Sequence, residues 1–498
     1  MQKRIEEFKA YLHKMHAYEH AMGVMNYDFE TAMPKGAAED YAKTMGILGE
    51  EYYRLQTAPE FKSMIKELAE RKDELDLVTR REVEVLAEDI ARTDCIPLQE
   101  YVDYQMEQSL ASSVWHEAKV SNDYAAFKPH LAKLIDYNRR FALYYAPDKD
   151  PYDTMLDMYE KGMTQSTLDG YFARLRRDLL PLVEKTAALR DTIDDGFLFK
   201  NYPLEGQRAL SDAIMQVMCI DRRHCSIGEV EHPFTTEFNK HDVRITTHYY
   251  EDAVASSFYS VVHEGGHALY ELHTGDELIG SPLASGTSMG VHESQSRLFE
   301  NIIGRSQGFT AHIFPTMQRL FPEQLHGVTA QDFYRAVNKS VPSLVRTEAD
   351  ELTYSFHIMI RYELEKRLIA GTLSVDELPE AWNALYKEYL GVDVPDDTHG
   401  VLQDSHWSGG SFGYFPSYSI GSAYGAQFVH AMKKDLDVDA LVAAGELAPI
   451  IDWLTDKIYR FGRIKTPDQL LLDTCGESFD PQYYVDYLTD KFTAIYGL

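Results

Sequence analysis

The residues most able to do chemistry are His263, Glu264 and His267, which lie in the sequence His-Glu-Gly-Gly-His. Residues four positions apart lie on one face of a helix, so the two histidines can bind one Zn²⁺ ion together. Glu264 then lies beside the open coordination position, where its carboxylate can take a proton from bound water. The motif therefore predicts a hydrolytic zinc site with Glu264 as its base.

The flanking sequence predicts that this motif lies on a helix, because apolar residues recur around it at helical spacing. Gly265 and Gly266 are unexpected there, since each costs about 1 kcal/mol relative to alanine inside a helix. Close approach of substrate or of another backbone would explain the two glycines, and a simple kink is the alternative. The apolar residues of the stripe are Phe258, Val261, Val262, Ala268, Leu269 and Leu272.

A zinc site of this kind needs a third protein ligand. His273 has the spacing of the metzincin motif, but Tyr270 occupies the position where that motif has glycine. Six residues of continuous helix rotate by about 600°, which turns His273 away from His263 and His267. Glu293, at the start of another helical stretch, is the better candidate for the third ligand.

The elements that must position these residues are mostly helices. Strand character is concentrated in residues 232–250, where β-branched and aromatic residues partly alternate. No fixed-period repeat and no low-complexity linker divides the chain, which predicts one large, mainly α body over residues 1–498 with a small β-sheet. Helical periodicity is found in residues 1–25, 40–75, 76–95, 98–125, 164–195, 205–218, 331–340, 346–370 and 375–390.

Composition excludes several classes of protein. The chain of 498 residues is 44% hydrophobic and carries a formal charge of −30, so it is too apolar to be disordered and lacks the basic character of nucleic-acid binders. Its four cysteines form no CxxC pair, and no signal-peptide core or membrane-spanning stretch is present. We expect a cytoplasmic protein with no nucleic-acid and no membrane partner.

Two segments without charged residues interrupt this acidic background. Residues 278–292 and 405–432 contain no Asp, Glu, Lys or Arg, and they are rich in Gly, Ser and other small residues or in Tyr. One interpretation is a buried packing segment. The other is a pocket wall, in which hydroxyl and backbone groups orient a ligand without net charge.

Six short motifs, in this order, resemble the carboxypeptidase Taq-type (thermostable carboxypeptidase 1-like) family of metallocarboxypeptidases. The sequence departs from the family pattern at Val345, where isoleucine is usual. The motifs are His232-Pro233-Phe234, the DxRxT sequence of 242–246, the HExxH sequence of 263–267, HESQ at 292–295, VRTEAD at 345–350 and GVLQDSHW at 400–407.

The resemblance implies a zinc-dependent enzyme, cobalt-activated in some members, that removes single residues from the C-terminal ends of peptides. It also implies a mostly helical fold like those of neurolysin and angiotensin-converting enzyme, with two halves flanking a deep groove. We expect a helical N-terminal lid or half over about 1–160 and a zinc-bearing part over about 161–498. Members of the family are usually homodimers.

Roles for individual residues follow from the motifs. Glu264 is expected to act as base and then as acid toward the leaving amine. The DxRxT segment is expected to form an edge strand beside the zinc helix, where Arg244 orients the strand or the peptide or else forms a structural ion pair. Arg346 is the candidate for binding the terminal carboxylate, because arginine offers a bidentate fork, with a bridge to Glu348, Asp350 or another helix as the alternative.

Hydrogen-bond donors for a tetrahedral oxyanion are expected in the last motif and in the charge-free segment after it. His406 is the strongest candidate, and Tyr414, Tyr418 and Tyr424 are the tyrosines considered, with packing as their alternative role. Tyr418 is assigned to catalysis and Tyr424 to substrate binding. His232 either lines the groove or is a core histidine.

Three hypotheses remain open from the sequence. The first is a carboxypeptidase that acts on peptides, and the second is an oligoendopeptidase or dipeptidyl carboxypeptidase with the same zinc chemistry. The third is a catalytically silent scaffold, which Glu264 disfavours because such a site needs no base. Gln403 and Asp404 are interpreted as partners that fix the histidine ligands or their own loop.

Overall fold

The computed structural model describes all 498 residues and contains 20 α-helices and one three-stranded sheet. The mainly α class predicted from the sequence is confirmed. No helix is both long enough and apolar enough to cross a membrane. The helices before the sheet are α1 (Gln2–Thr31), α2 (Ala38–Thr57), α3 (Pro59–Glu70), α4 (Leu77–Asp94), α5 (Leu98–Ser121), α6 (Tyr124–Tyr145), α7 (Pro151–Tyr159), α8 (Gln165–Ala188) and α9 (Leu204–Val217).

The helices that follow the sheet carry most of the sequence motifs. A seven-residue π-helical segment, Leu298–Gly304, continues directly from α11. These helices are α10 (Val254–Leu272), α11 (Met289–Arg297), α12 (Gln307–Leu320), α13 (Ala330–Val337), α14 (Glu351–Ala370), α15 (Leu378–Leu390), α16 (Pro416–Met432), α17 (Val438–Ala444), α18 (Ala448–Lys457), α19 (Pro467–Cys475) and α20 (Gln482–Tyr496).

The sheet has the strand order β1-β3-β2, with β1 (Cys225–Glu229), β2 (Thr235–Asn239) and β3 (Asp242–Thr247). β3 pairs in parallel with β1 and antiparallel with β2. The prediction that the DxRxT segment forms an edge strand is therefore wrong, because β3 is the central strand. β1 was not predicted, since its sequence CSIGE lacks the β-branched and aromatic enrichment of a strand. The free edge near α10 belongs to β2.

A large and a smaller hydrophobic core, with a third cluster of three residues, hold the helices together. The main core draws 98 buried residues from Ile96 to Phe492 and includes the apolar side of α10. A smaller core of nine residues, from Phe8 to Val83, lies among α1, α3 and α4. The smaller core thus ends before residue 95.

Helix α11 is held in place at its first turn. The side chain of Ser288 accepts a hydrogen bond from the backbone N–H of Val291, which caps the helix. Glu160, which is buried at the end of α7, accepts a bond of 2.9 Å from the N–H of Gly290. Burial raises the pKa of the Glu160 carboxyl to about 7. These bonds fix where the following turn, with Glu293, can lie.

Glycines let α11 pack closely between α10 and α16. A Cβ atom at Gly266 would lie 2.7 Å from backbone atoms of α11, and one at Gly421 would lie 2.7 Å from the side chain of Glu293. Both distances are shorter than real Cβ contacts. The close approach of another backbone, one of the explanations predicted for the glycines of the HExxH motif, is confirmed at Gly266.

The charge-free segment 405–432 contains α16, which the periodicity did not predict. Nearly all of this helix is buried, so it has no polar face and no amphipathic pattern to detect. Its core-facing role agrees with the packing interpretation. The loop before α16 contains His406, so the packing segment also borders the site described below.

We expect the substitution Gly266→Ala to destabilise the protein by about 1–3 kcal/mol, because the new methyl group overlaps the backbone of α11. Gly46 is the control, since it lies within α2 and a Cβ atom there meets nothing within 4 Å. Gly46→Ala should stabilise by about 0.5–1 kcal/mol. Urea denaturation of both variants measures the two effects, and equal stability of Gly266→Ala and wild type contradicts the packing argument.

Candidate active site

His263, His267 and Glu293 converge between α10 and α11. Their potential ligand atoms all lie within 4.8 Å of one another. The two histidine side chains keep 19% and 16% of their surface exposed, while Glu293 is more deeply buried. The three residues therefore present one carboxylate and two imidazoles to a partly open space.

The partner of each histidine determines which ring nitrogen is free. His263 Nδ1 lies 2.9 Å from Glu300 Oε2, so the ring donates to this carboxylate from Nδ1. In the neutral ring that donates from Nδ1, Nε2 carries the lone pair that a metal ligand needs. Glu300 lies in the π-helical segment, seven residues after Glu293 and on the same side of the helix.

A second chain of contacts orients His267. Glu271 Oε1 lies 2.6 Å from His292 Nε2, and Nδ1 of His292 lies 2.6 Å from Nδ1 of His267. His292 donates to the carboxylate from Nε2, and when its ring is neutral its Nδ1 accepts from Nδ1–H of His267. In that arrangement Nε2 of His267 is free, and burial lowers the pKa of this ring to about 3. The ring is neutral and can serve as a ligand.

Two arginines balance the carboxylates behind the histidines. Arg297 lies 2.7 Å from Glu293 Oε1 and 3.2 Å from Glu300 Oε2, and Arg305 lies 3.3 Å from Glu300 Oε1. Burial opposes ionisation of Glu293, but the charge of Arg297 holds the pKa of its carboxyl well below the usual range. Glu293 is therefore ionised, as a metal ligand must be.

Glu264 lies on α10 next to His263 and is 7% exposed. Its Oε2 accepts a hydrogen bond of 2.6 Å from the hydroxyl of Thr235, on the edge strand β2. Burial raises the pKa of the Glu264 carboxyl, although the charge of His263 and the bond to Thr235 act in the opposite direction. A carboxylate with a raised pKa beside a metal site is suited to accept and return a proton.

The donor set fits a divalent transition metal. Two imidazoles and one carboxylate form the protein side of many hydrolytic zinc sites, which leave a further position open. Each histidine is fixed by a partner on its other nitrogen, as ligating histidines usually are. His263, His267 and Glu293 are the residues that would hold such a metal. His273 is not among them, because its ring bonds the carbonyl of Leu269 at the end of α10.

Arg346 connects to this group through Tyr354. The hydroxyl of Tyr354 accepts a hydrogen bond of 3.2 Å from Arg346, and its ring lies 4.3 Å from the guanidinium of Arg297. Arg346 also pairs with Asp404 at 2.9 Å, a residue 58 positions later in the chain. Arg346 thus forms an ion pair, but with Asp404 in a loop rather than with Glu348, Asp350 or another helix.

His406 and Tyr418 lie beside Arg346. Nε2 of His406 lies 3.0 Å from the hydroxyl of Tyr418, and its buried Nδ1 has no hydrogen-bond partner. Burial lowers the pKa of His406 to about 4, so the ring is neutral. The guanidinium of Arg346 lies 4.9 Å from the ring of Tyr418. The three residues form one wall of the site.

Gln403 and Asp404 were predicted to fix either the histidine ligands or their own loop. The structure shows them in contact with their own loop and with two arginines. Asp404 also lies 2.6 Å from Arg361, and Gln403 accepts a bond of 3.1 Å from the same guanidinium. Neither residue contacts a histidine of the metal group. The two side chains therefore fix the loop before His406 against α14.

Two candidate residues are not brought to this group. Arg244 pairs with Asp242 and lies between the rings of Tyr27 and Phe238, on the face of the sheet that meets α1. This is the face opposite to Thr235, so the structure shows the structural ion pair rather than a contact with the site. A strand alternates its side chains between two faces, which explains the separation.

Tyr424 is 1% exposed, and its hydroxyl donates to Glu160 in the core. The structure therefore gives Tyr424 a packing position below α11 rather than a surface in the site. His232 is exposed on the segment that leads into β2, three residues before Thr235. It forms no side-chain hydrogen bond.

Sequence reasoning missed the residues that orient the ligands. Glu300, Arg297 and Arg305 have no motif of their own, although the spacing of Glu300 from Glu293 equals two helical turns. His292 was noted only as part of a motif, and Glu271 lies on α10 one turn after His267. The sequence signal that could have identified Glu271 and Glu300 is a carboxylate one or two helical turns away from a candidate ligand.

Comparisons with known proteins agree with this geometry. The family described as carboxypeptidase Taq (M32) metallopeptidase matches residues 7–492. Carboxypeptidase 1 of Bacillus subtilis is 40% identical over 494 residues, 99% of either chain. Thermostable carboxypeptidase 1 of Pyrococcus furiosus is 35% identical over 497 residues, 98% of either chain.

Solved structures show the same fold. The M32 carboxypeptidase from Deinococcus radiodurans R1 superposes with a TM-score of 0.96 at 34% identity and covers 100% of both chains. Metallocarboxypeptidase 1 of Trypanosoma cruzi superposes with a TM-score of 0.94 at 31% identity, over 99% of this chain and 100% of the other. The family resemblance drawn from the six motifs is confirmed.

We expect Glu293→Ala to weaken Zn²⁺ binding more than Glu300→Gln does. The first substitution removes a ligand, whereas the second only weakens the support of His263, an effect of about 10- to 100-fold in affinity. Glu323→Gln, at an exposed glutamate after α12 that forms no salt bridge, is the control and should bind Zn²⁺ like wild type. Titration of Zn²⁺ against a competing chelator measures the affinities.

The Zn²⁺ affinities of the Glu293 and Glu300 variants distinguish a metal ligand from a residue that only orients one. Circular dichroism verifies that each variant is folded, because Glu293→Ala leaves Arg297 without one of its partners. Binding of Zn²⁺ by Glu293→Ala at wild-type affinity removes Glu293 from the ligand set.

Proposed function

Since the chain belongs to the carboxypeptidase Taq (M32) family of metallopeptidases, we propose that it releases single amino acids from the C-terminal ends of peptides at the site of His263, His267 and Glu293. Metal-dependent carboxypeptidase activity is the function of this family. The observation that carries the proposal is that Glu264 lies next to His263 on α10, while Arg346 is linked through Tyr354 to Arg297, the partner of Glu293.

Zinc is the metal that we assign, with cobalt as an alternative activating ion, because two imidazoles and a carboxylate suit both. When bound, the metal supplies Lewis-acid chemistry that activates water and polarises the scissile carbonyl. His263 and His267 present neutral Nε2 atoms, and Glu293 presents an ionised carboxylate. These protonation states are supported by the contacts of Glu300, His292 and Arg297.

Glu264 takes the proton of the attacking water on its carboxylate and then returns it to the nitrogen of the leaving amino acid. Thr235 donates to one oxygen, Oε2, and so directs the other oxygen of Glu264 toward the reacting groups. The raised pKa of the carboxyl supports both directions of transfer, since a strongly acidic group would not return the proton.

The free edge of β2 offers backbone groups to the peptide. The N–H of Thr246 donates to the carbonyl of Phe234, which makes these residues a hydrogen-bonded pair. In an antiparallel ladder the next such pair falls at Thr236, so the N–H and C=O groups of Thr235 and Glu237 point away from β3. A substrate strand can add to this edge directly beside Glu264.

Arg346 is the group that we assign to the terminal carboxylate. One carboxylate, that of Asp404, faces the guanidinium groups of both Arg346 and Arg361. One positive charge of this buried cluster is therefore without a direct ion-pair partner. A substrate carboxylate would neutralise it through the fork geometry of arginine.

His406 and Tyr418 are assigned to stabilising the tetrahedral oxyanion. If His406 donates from Nε2 to the hydroxyl oxygen of Tyr418, the hydroxyl proton of Tyr418 is free to bond the substrate. Burial raises the pKa of the Tyr418 hydroxyl, with a smaller contribution from the charge of Glu293, which supports a position close to the metal group. His232 is a further candidate for contacting the peptide, since it is exposed where the chain enters β2.

The competing peptidase hypotheses require space beyond the released residue. An oligoendopeptidase or dipeptidyl carboxypeptidase must accommodate a longer C-terminal segment, which would place any terminal carboxylate farther from the metal group than in a carboxypeptidase that releases one residue. The silent-scaffold hypothesis is disfavoured by Glu264 and its bond to Thr235. A homodimer and a cytoplasmic location stay predictions that derive from the family resemblance and from composition.

We expect Glu264→Gln to lower kcat by about 10²- to 10⁴-fold, because glutamine cannot accept the proton of the attacking water. Zn²⁺ binding should persist, since Glu264 is not a ligand. Release of amino acids from a blocked dipeptide, followed together with the metal content, measures both quantities. Glu323→Gln controls for loss of a glutamate charge, and normal hydrolysis by Glu264→Gln would exclude the proposed base.

We expect the enzyme to hydrolyse peptides with a free C-terminal carboxylate and to leave the C-terminally amidated peptides intact. Arg346→Lys should lower kcat/KM for the free acid by about 10- to 100-fold, because lysine lacks the bidentate fork. Arg361→Lys is the matched control, since Arg361 pairs with the same Asp404 but is completely buried.

Mass spectrometry of the products at successive times distinguishes the alternatives. Stepwise release of single residues is the expected pattern. Hydrolysis of amidated peptides at a similar rate, or release of dipeptides, contradicts the carboxypeptidase proposal.

A further inference from the structure

Glu237 is an exposed carboxylate on the free edge of the sheet, and neither the metal group nor the proposed mechanism uses it. It lies two residues after Thr235, so its side chain leaves β2 on the same face, toward α10. Phe238 points to the opposite face, where it contacts Arg244 and His20. Glu237 forms no salt bridge with any cation of the chain.

Glu271 adds a second negative charge beneath this position. Glu271 is 2% exposed, and its Oε1 contacts His292 while its buried Oε2 has no hydrogen-bond partner. Loss of hydration of the Glu237 carboxyl raises its pKa to about 7, the charge of Glu271 adds to this rise and the charge of His292 opposes it. His292 and the hydroxyl of Ser285 bond Oε1 of Glu271, and no cation of the chain forms a salt bridge with Glu237. A cation bound at the strand edge would complete this arrangement.

The strand register relates Glu237 to the peptide. Thr235 contacts Glu264, so the substrate residue facing Thr235 is next to the scissile bond. Only one residue lies beyond that bond in a carboxypeptidase substrate, and we take this residue to face Thr235. The residue facing Glu237 in an antiparallel pair lies two positions earlier, which is the third residue from the C-terminus.

We propose that Glu237, supported by Glu271, forms an acidic subsite that selects peptides carrying an ammonium or guanidinium group at the third residue from the C-terminus. This inference rests on the proposed carboxypeptidase function and names a preference of that same site. The cation can come from two sources. It is either the side chain of Lys or Arg at that residue, or the free α-ammonium group of a tripeptide.

The first experiment measures kcat/KM of the wild-type protein loaded with Zn²⁺. N-acetylated pentapeptides of alanine carry a single lysine at the second, third or fourth position from the C-terminus, with the all-alanine peptide as reference. We expect about a tenfold preference for lysine that is largest at the third position, as for a charge-assisted hydrogen bond. A lysine preference that peaks at another position overturns the proposal, and so does the absence of a lysine preference when the free amino terminus tested next gives none either.

A second arm separates the two sources of the cation. Trialanine with a free amino terminus is compared with N-acetylated trialanine. If the free form is preferred while the lysine peptides show no preference, the subsite binds the peptide terminus but not side chains. If lysine at the third position is preferred in blocked peptides, the subsite binds side chains. If neither preference is seen, the proposal is overturned.

Substitutions test whether Glu237 causes the preference. Glu237→Gln should reduce the ratio of kcat/KM for the lysine and alanine peptides to about one, and Glu237→Lys should favour glutamate at the same position. Glu323→Gln, remote from the site, should keep the wild-type ratio. A wild-type ratio in both Glu237 variants overturns the proposal.

The neutral peptide keeps this outcome distinct from failure of the proposed function. If the wild-type protein releases alanine stepwise from the all-alanine peptide but prefers neither lysine nor a free amino terminus, the carboxypeptidase function holds and the acidic subsite is wrong. If no amino acid is released from any peptide, the proposed function itself fails.

Discussion

The close approach of α11 to both α10 and α16 is the constraint on which the metal site depends. His263 and His267 come from α10, and Glu293 comes from α11, so the three can share one ion only if the two helices almost touch. Gly266 removes the side chain on one side of α11, and Gly421 removes it on the other. Glycine lowers the stability of each of these helices, but without it the helices could not come close enough to bring the ligands together.

The same approach buries charge, and the charge must be balanced. Glu293 and Glu300 lie behind the histidines, where an isolated carboxylate would be protonated or would cost several kcal/mol. Arg297 contacts both carboxylates and Arg305 contacts Glu300. The two arginines keep the acids ionised, and the acids in turn fix the histidine ring nitrogens. Ligand geometry and ligand protonation therefore have one common cause.

Local spacing was sufficient to predict the parts of the site that lie on one helix. His263, Glu264 and His267 follow from positions four residues apart, and Glu293 opens the next helical stretch as expected. Strand order was predicted wrongly, because the alternation within DVRIT shows a strand but not which neighbours it pairs with. The partner of Arg346 lies 58 residues away and that of Tyr424 lies 264 residues away. Contacts of this range depend on how the whole chain packs.

The unbalanced charges of the site are positive on one side and negative on the other. On the side of Arg346, two guanidinium groups share the carboxylate of Asp404, which leaves an excess of positive charge. On the side of Glu237 and Glu271, the excess is negative, and Glu271 lies about 10 Å beyond Glu264 along α10. A peptide has its carboxylate at one end and its ammonium group at the other, so only one orientation satisfies both sides. In the proposed binding mode that orientation would place the terminal carboxylate near Arg346 and the preceding residues along β2, so that the potential of the site would oppose reversed binding even before any hydrogen bond forms.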